Sequence, residues 1–124
     1  MAIHPSAIIG PGVEIHPDAT VSAYAVISGR VKIGKGTKVE SFVRIGADAG
    51  RVEIGENNHI LSGAVLGQPP QDLSYKGEDV QLVIGNNNVI REFVTVNLGT
   101  AKGGGITRIG NDCMLMAYVH IAHD

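Results

Sequence analysis

The sequence predicts an all-β protein, a parallel β-helix of stacked triangular coils. Three observations lead there. An aliphatic residue returns at every sixth position from Ile3 through Ile9, Ile15, Val21, Ile27, Ile33 and Val39 to Ile45. The fourth residue after each of the first seven is small or β-branched: Ala7, Val13, Ala19, Ala25, Val31, Thr37 and Val43. Where the repeat is interrupted, the interruptions fall three hexads apart.

A period of six matches neither the 3.6-residue repeat of a helix nor the alternation of one long strand. It matches hexads in which a short strand covers one flank of a prism and then turns, three hexads closing a coil. Aliphatic anchors then stack on their counterparts one coil away and fill the interior. The small residue four places on suits a narrow inward corner. Glycine often follows the anchor, as at Gly10, Gly34, Gly46, Gly55, Gly67, Gly85 and Gly110, where the backbone must bend tightly.

The composition agrees. With 124 residues, 44% of them apolar and 18% charged, and a net charge of −2, the chain has the make-up of one ordinary globular domain spanning 1–124. A balance this close to neutral does not point to nucleic acid. No basic n-region with an apolar run, and no apolar stretch of spanning length, is present, so membrane insertion is not expected and a cytoplasmic location is. The single cysteine, Cys113, sits two places before Leu115 on the small inward position and reads as core. Five aromatic residues and no Trp suit a narrow lumen.

In chain order, eight uninterrupted hexads run to Ile45. Three extra residues then enter before Ile54, and Ile60 and Leu66 follow on time. A long insertion, 67–83, precedes Ile84, Ile90 and Val96; a glycine-rich one, 97–108, precedes Ile109, Leu115 and Ile121. Counted from Ile3, these breaks follow anchors eight, eleven and fourteen, so all three insertions must leave the prism at one corner in consecutive coils. Anchor seventeen, Ile121, lies on that same flank. Loops piled on one corner of a rigid scaffold are where sites are usually built. Just under six coils, at roughly 4.8 Å each, make a prism about 27 Å tall. The last hexad stops at Asp124, leaving strand edges that invite pairing, which implies a missing continuation or a covering partner.

The densest cluster of titratable groups is His120, His123 and Asp124. His123 lies two places past its anchor, stacked by count above Leu98 and Gln68. The long loop that Gln68 opens carries Asp72, and its length suffices to bring Asp72 towards His123. An imidazole held by a carboxylate is the usual general base near neutral pH, and either Asp124 or Asp72 offers that carboxylate. His120 with His123 would supply two ligands of a zinc site, but His4, His16 and His59 lie coils away and no metal site is expected. Gly103–Gly104–Gly105 reads as a flexible turn rather than a phosphate cradle, since no P-loop lysine or helix follows. The asparagines 57, 58 and 86–88 read as left-handed turn residues and stacks. Arg30, Lys32, Lys35, Lys38 and Arg44 concentrate positive charge in the second and third coils, a solvated face on which an acidic carrier could dock.

Four segments in this order, Gln68–Glu78, Ile84–Glu92, Gly103–Gly110 and His120–Asp124, resemble the acyl-carrier-protein-dependent UDP-N-acetylglucosamine O-acyltransferases of lipid A synthesis. The resemblance covers the chain as the N-terminal part of such an enzyme, with further coils and a C-terminal helical domain absent. It implies a left-handed parallel β-helix, a homotrimer with active sites between subunits, and transfer of a 3-hydroxyacyl group from acyl carrier protein to the sugar 3-hydroxyl. The histidine matching His123 is then the general base and Asp124 its support, while Gln71, Asp72 and His120 line the sugar and acyl end of the cleft. No metal or resident cofactor is implied; phosphopantetheine arrives on the carrier. The chain departs from that pattern at Ser74 and Leu98, where the family has basic residues. Two alternatives stand beside this reading: an inert, structural trimeric β-helix, and a γ-carbonic-anhydrase-like metal enzyme. The latter's His-x-x-x-x-His spacing differs from His120-Ile-Ala-His123.

Overall fold

A computed structural model describes residues 2–123. Each aliphatic anchor falls in its own short strand, giving seventeen strands among the described residues, numbered here in chain order. They stack into three parallel sheets, one per flank of a left-handed prism. The first sheet holds β1 (Ala2–Ile3), β4 (Thr20–Val21), β7 (Lys38–Val39), β10 (His59–Ile60), β13 (Val89–Ile90) and β16 (Met114–Leu115). The second holds β2 (Ile8–Ile9), β5 (Val26–Ile27), β8 (Arg44–Ile45), β11 (Val65–Gln68), β14 (Thr95–Asn97) and β17 (His120–Ile121). The third holds β3 (Val13–Ile15), β6 (Arg30–Ile33), β9 (Arg51–Ile54), β12 (Gln81–Ile84) and β15 (Ile106–Ile109).

The order within each sheet rises by three, as three hexads per coil require. Ile27 lies over Ile9 and under Ile45, and Ile33 lies between Ile15 and Ile54. The anchors of the middle coils are sealed from solvent, as are Ala19, Ala25, Thr37 and Val43 at the small inward positions. Burying an aliphatic side chain stabilises by about 1.5–3 kcal/mol, and parallel pairing satisfies the backbone between coils, so stability builds coil upon coil. The end coils are less covered, and Ile3, Ile9, Leu115 and Ile121 are only partly buried.

One inward column is polar. Thr37, Asn58, Asn88 and Cys113 occupy the same position in successive coils. The Asn58 N–H donates to Thr37 Oγ1 at 3.3 Å, the Asn88 N–H to Asn58 Oδ1 at 3.0 Å and the Cys113 N–H to Asn88 Oδ1 at 2.8 Å. The Asn58 and Asn88 amides donate in turn to the carbonyls of Gly85 and Gly110. Cys113, at the top of this column, is half-buried against the core. The neighbouring Asn57 and Asn87 take the left-handed conformation expected of turn residues, with φ of 56° and 60°. Asn88→Leu keeps the volume but strands the Cys113 N–H and the Gly110 carbonyl, and is expected to cost about 1–3 kcal/mol, read from the denaturant midpoint.

The corner joining the first and second sheets carries an aromatic ridge outside the prism. Tyr24, Phe42, Phe93 and Tyr118 sit there at φ of 59–66°, backbone angles that cost a non-glycine residue roughly 1–2 kcal/mol. Their rings stack in pairs, Tyr24 on Phe42 with centroids 5.6 Å apart and Phe93 on Tyr118 at 5.5 Å. Gly63 fills the same turn in the coil between them, and Phe93 lies across it.

Candidate active site

Every long excursion leaves from the second sheet and returns to the third: residues 46–50 join β8 to β9, 69–80 join β11 to β12, and 98–105 join β14 to β15. The three are therefore stacked on one corner in consecutive coils. β17 crowns the same sheet, in register with β14 through Thr95↔His120 and Val96↔Ile121, which brings His120 and the segment leading to His123 onto this ridge.

His120 projects outward and is exposed, its Nδ1 2.6 Å from Thr95 Oγ1 in the coil below. A hydroxyl on one ring nitrogen fixes the plane of the imidazole and leaves the other nitrogen outward. His123 is half-buried just past the end of β17. Asp124, its expected support, lies outside the described residues.

The second expected carboxylate has other partners. Asp72 Oδ1 accepts the Ser74 N–H at 2.9 Å and the Ser74 hydroxyl at 2.8 Å, while Oδ2 lies 2.9 Å from Lys102 Nζ. The Ser74 N–H, the Lys102 ammonium and the Ser74 hydroxyl together hold the Asp72 carboxyl well below the usual carboxylate range, so it is anionic at any working pH. Asp72 thus faces the glycine-rich loop of the next coil. Gln71, beside it, is exposed, and Leu73 projects fully into solvent at the loop tip. The loop is anchored separately at its middle and its end: Tyr75 packs on the core, Asp79 pairs with Arg30, and Arg51 Nε lies 3.8 Å from Asp79.

The glycine-rich loop is a closed turn. The buried Thr100 accepts the N–H groups of Gly103 and Gly105 on its carbonyl, at 3.1 and 2.7 Å, and that of Gly103 also on its hydroxyl. Leu98 is fully buried and packs against Gly50 of the first excursion. A simple count stacks Leu98 on Gln68, but the ladder pairs Gln68 with Asn97 because Gly67, at φ 86°, forms a bulge. This slip turns Leu98 into the interior.

The positive charges grouped by the sequence reading separate in space. Arg30 and Lys32 lie on the third sheet, Lys38 on the first and Arg44 on the second, so they form no single basic face. Among the described residues no three His, Cys, Asp or Glu side chains converge as a metal site requires. No helix of the described residues is long and apolar enough to cross a membrane.

Sequence reasoning missed two partners. Thr95 was reachable by the coil count, since it stands directly beneath His120. Lys102 was not, because it sits inside an insertion where the hexad register says nothing about direction.

No protein-family model matches the chain. It is 47% identical over 122 residues to an acyl-[acyl-carrier-protein]–UDP-N-acetylglucosamine O-acyltransferase of Thermodesulfovibrio yellowstonii, which covers 98% of this chain and 46% of the relative. The chain is homologous to these acyltransferases. An acyltransferase of the same name from Saccharophagus degradans is 46% identical with the same coverage. The crystal structure of the UDP-N-acetylglucosamine O-acyltransferase of Moraxella catarrhalis superposes with a TM-score of 0.94 at 44% identity, over 100% of this chain and 47% of that one. The acyltransferase of Francisella novicida gives 0.92 at 42% identity, over 98% and 44%. The chain thus spans a little under half the length of the curated relatives it matches.

Proposed function

We propose that this chain is the catalytic β-helix of an enzyme that transfers a 3-hydroxyacyl group from acyl carrier protein to the 3-hydroxyl of UDP-N-acetylglucosamine, the opening step of lipid A synthesis. The observation that supports the reading is that β17, which carries His120 and leads to His123, stacks on the sheet from which the three loops leave, in a chain homologous to acyltransferases of that name.

In the proposed reaction the His123 imidazole takes the proton of the sugar 3-hydroxyl as that oxygen attacks the thioester carbon. The tetrahedral adduct collapses with cleavage of the C–S bond. The imidazolium returns its proton to the departing phosphopantetheine sulfur, giving the sugar ester and free carrier thiol. Asp124 supports the imidazolium. His120, oriented by Thr95, and Asp72 with Gln71 line the sugar and acyl end of the cleft. The reaction needs no metal or resident cofactor, the cleft is completed by neighbouring copies in a homotrimer, and the enzyme works in the cytoplasm.

The deciding experiment incubates the intact protein with UDP-N-acetylglucosamine and a series of 3-hydroxyacyl carrier proteins and follows the acylated nucleotide sugar by mass spectrometry. Ester formation with at least one chain length is expected. Absence of product across the series would leave a structural β-helix as the better account.

A further inference from the structure

Asp72 is gripped from two sides. Ser74 binds Oδ1 from within the long loop, which shapes the turn but holds it to nothing else. Lys102 binds Oδ2 from the glycine-rich loop of the following coil, across 30 residues of sequence. The two side chains differ sharply in exposure, 15% for Asp72 and 68% for Lys102, so the ammonium reaches inward over a carboxylate the loops already shelter.

The platform under Lys102 is rigid where it matters. The Thr100 carbonyl and hydroxyl close the turn on both sides of the lysine, and Gly105 O accepts the Gln81 N–H at 2.8 Å, fastening the turn to β12. Among the described residues the tip of the long loop is otherwise tied to the body of the prism only through Tyr75, packed on the core just after Ser74. Leu73 makes no apolar anchor, and the tie through Asp79 lies nearer the return strand.

We infer that Lys102 is a positioning residue of the transfer site: through the Asp72 carboxylate it clasps the tip of the long loop to the next coil and sets where Gln71 and Asp72 meet the acceptor sugar. The inference rests on the acyltransferase reading for the identity of that sugar, but the clasp itself is a property of this chain. An ion pair at least partly open to solvent is too weak to govern global folding. It is enough to change the population of a closed loop severalfold, and therefore acts on acceptor binding rather than on the chemical step.

The test compares Lys102→Met, which keeps the length without the charge, with Lys102→Arg, which restores it. In the intact protein Lys102→Met is expected to raise the KM for UDP-N-acetylglucosamine about twofold to fivefold with kcat within about twofold, and Lys102→Arg to return KM towards the wild-type value. Native-state trypsin cleavage after Lys76, in the same loop, is expected to quicken severalfold in the methionine variant and recover in the arginine variant. An unchanged KM in Lys102→Met, or a loss of kcat equal to the rise in KM, overturns the positioning role. Should the wild-type protein fail to acylate UDP-N-acetylglucosamine, the acyltransferase reading falls and cleavage after Lys76 still decides the clasp: an unaltered rate overturns it, and a faster one that arginine reverses upholds it.

Discussion

Replacing His123 by alanine is expected to slow acyl transfer by roughly two to four orders of magnitude, the usual worth of a positioned general base, while the KM for the acceptor sugar moves far less. The reason is the proposed division of labour on the ridge. His123 is offered at the crown of the second sheet, after the inward-facing Ile121 has closed its hexad, so its removal takes away a proton acceptor without opening the core. Thermal stability should therefore stay near that of the wild type, which separates lost chemistry from lost fold. His120→Ala should be milder in kcat, because the proposed reaction gives His120, held by Thr95, a lining role rather than the proton. Steady-state rates for both variants, measured with one carrier thioester, check the ordering. A His123→Ala protein within tenfold of the wild-type rate would remove His123 from the role of base.

Gly46→Ala is expected to be the most damaging single methyl group in the described chain, costing about 3–5 kcal/mol and lowering the melting temperature by roughly 10–20 °C. Gly46 begins the first excursion at φ 95°, and a Cβ built there lies 1.8 Å from the Ser28 carbonyl oxygen and 2.8 Å from Val31 Cγ2. The backbone cannot step aside. The Gly46 N–H donates to Leu66 O at 2.8 Å and its carbonyl accepts the Gln68 amide at 2.7 Å, so β11 in the next coil would have to move with it. Gly77→Ala is the control: φ is similar, 80°, but nothing lies within 4 Å of the added methyl, leaving only the backbone strain of about 1–2 kcal/mol. Melting curves for the two variants measure the difference, and equal losses would show that steric closure at Gly46 has been overstated.

How much of this could be read beforehand follows from what repeats. Ile45, Leu66 and Val96 each precede an insertion, and because three hexads make a coil, counting alone placed those insertions on one corner and Ile121 above them. The inward stack of Ile33 on Ile54 followed from the same arithmetic, as did a stack of asparagines, although Asn58 and Asn88 were expected at the turn and lie buried in the column. What could not be read lies where the count is suspended. The bulge at Gly67 displaces the ladder by one residue and buries Leu98, a slip that no spacing announces. Lys102 meets Asp72 through two loops whose paths are set by local turns rather than by period. Charge was misread for the converse reason: Arg30, Lys38 and Arg44 are neighbours in sequence, but three short strands in a row face three directions.

The aromatic ridge determines what light can report about this protein. With no Trp and only three Tyr, intrinsic emission comes from Tyr24 and Tyr118, each paired with a phenylalanine outside the prism, and from Tyr75 in the long loop. The aliphatic lumen is optically silent. A fluorescence melt will therefore follow the corner and the loop, and its midpoint should fall below the calorimetric one by whatever margin separates loosening of the outer edge from dissolution of the coils.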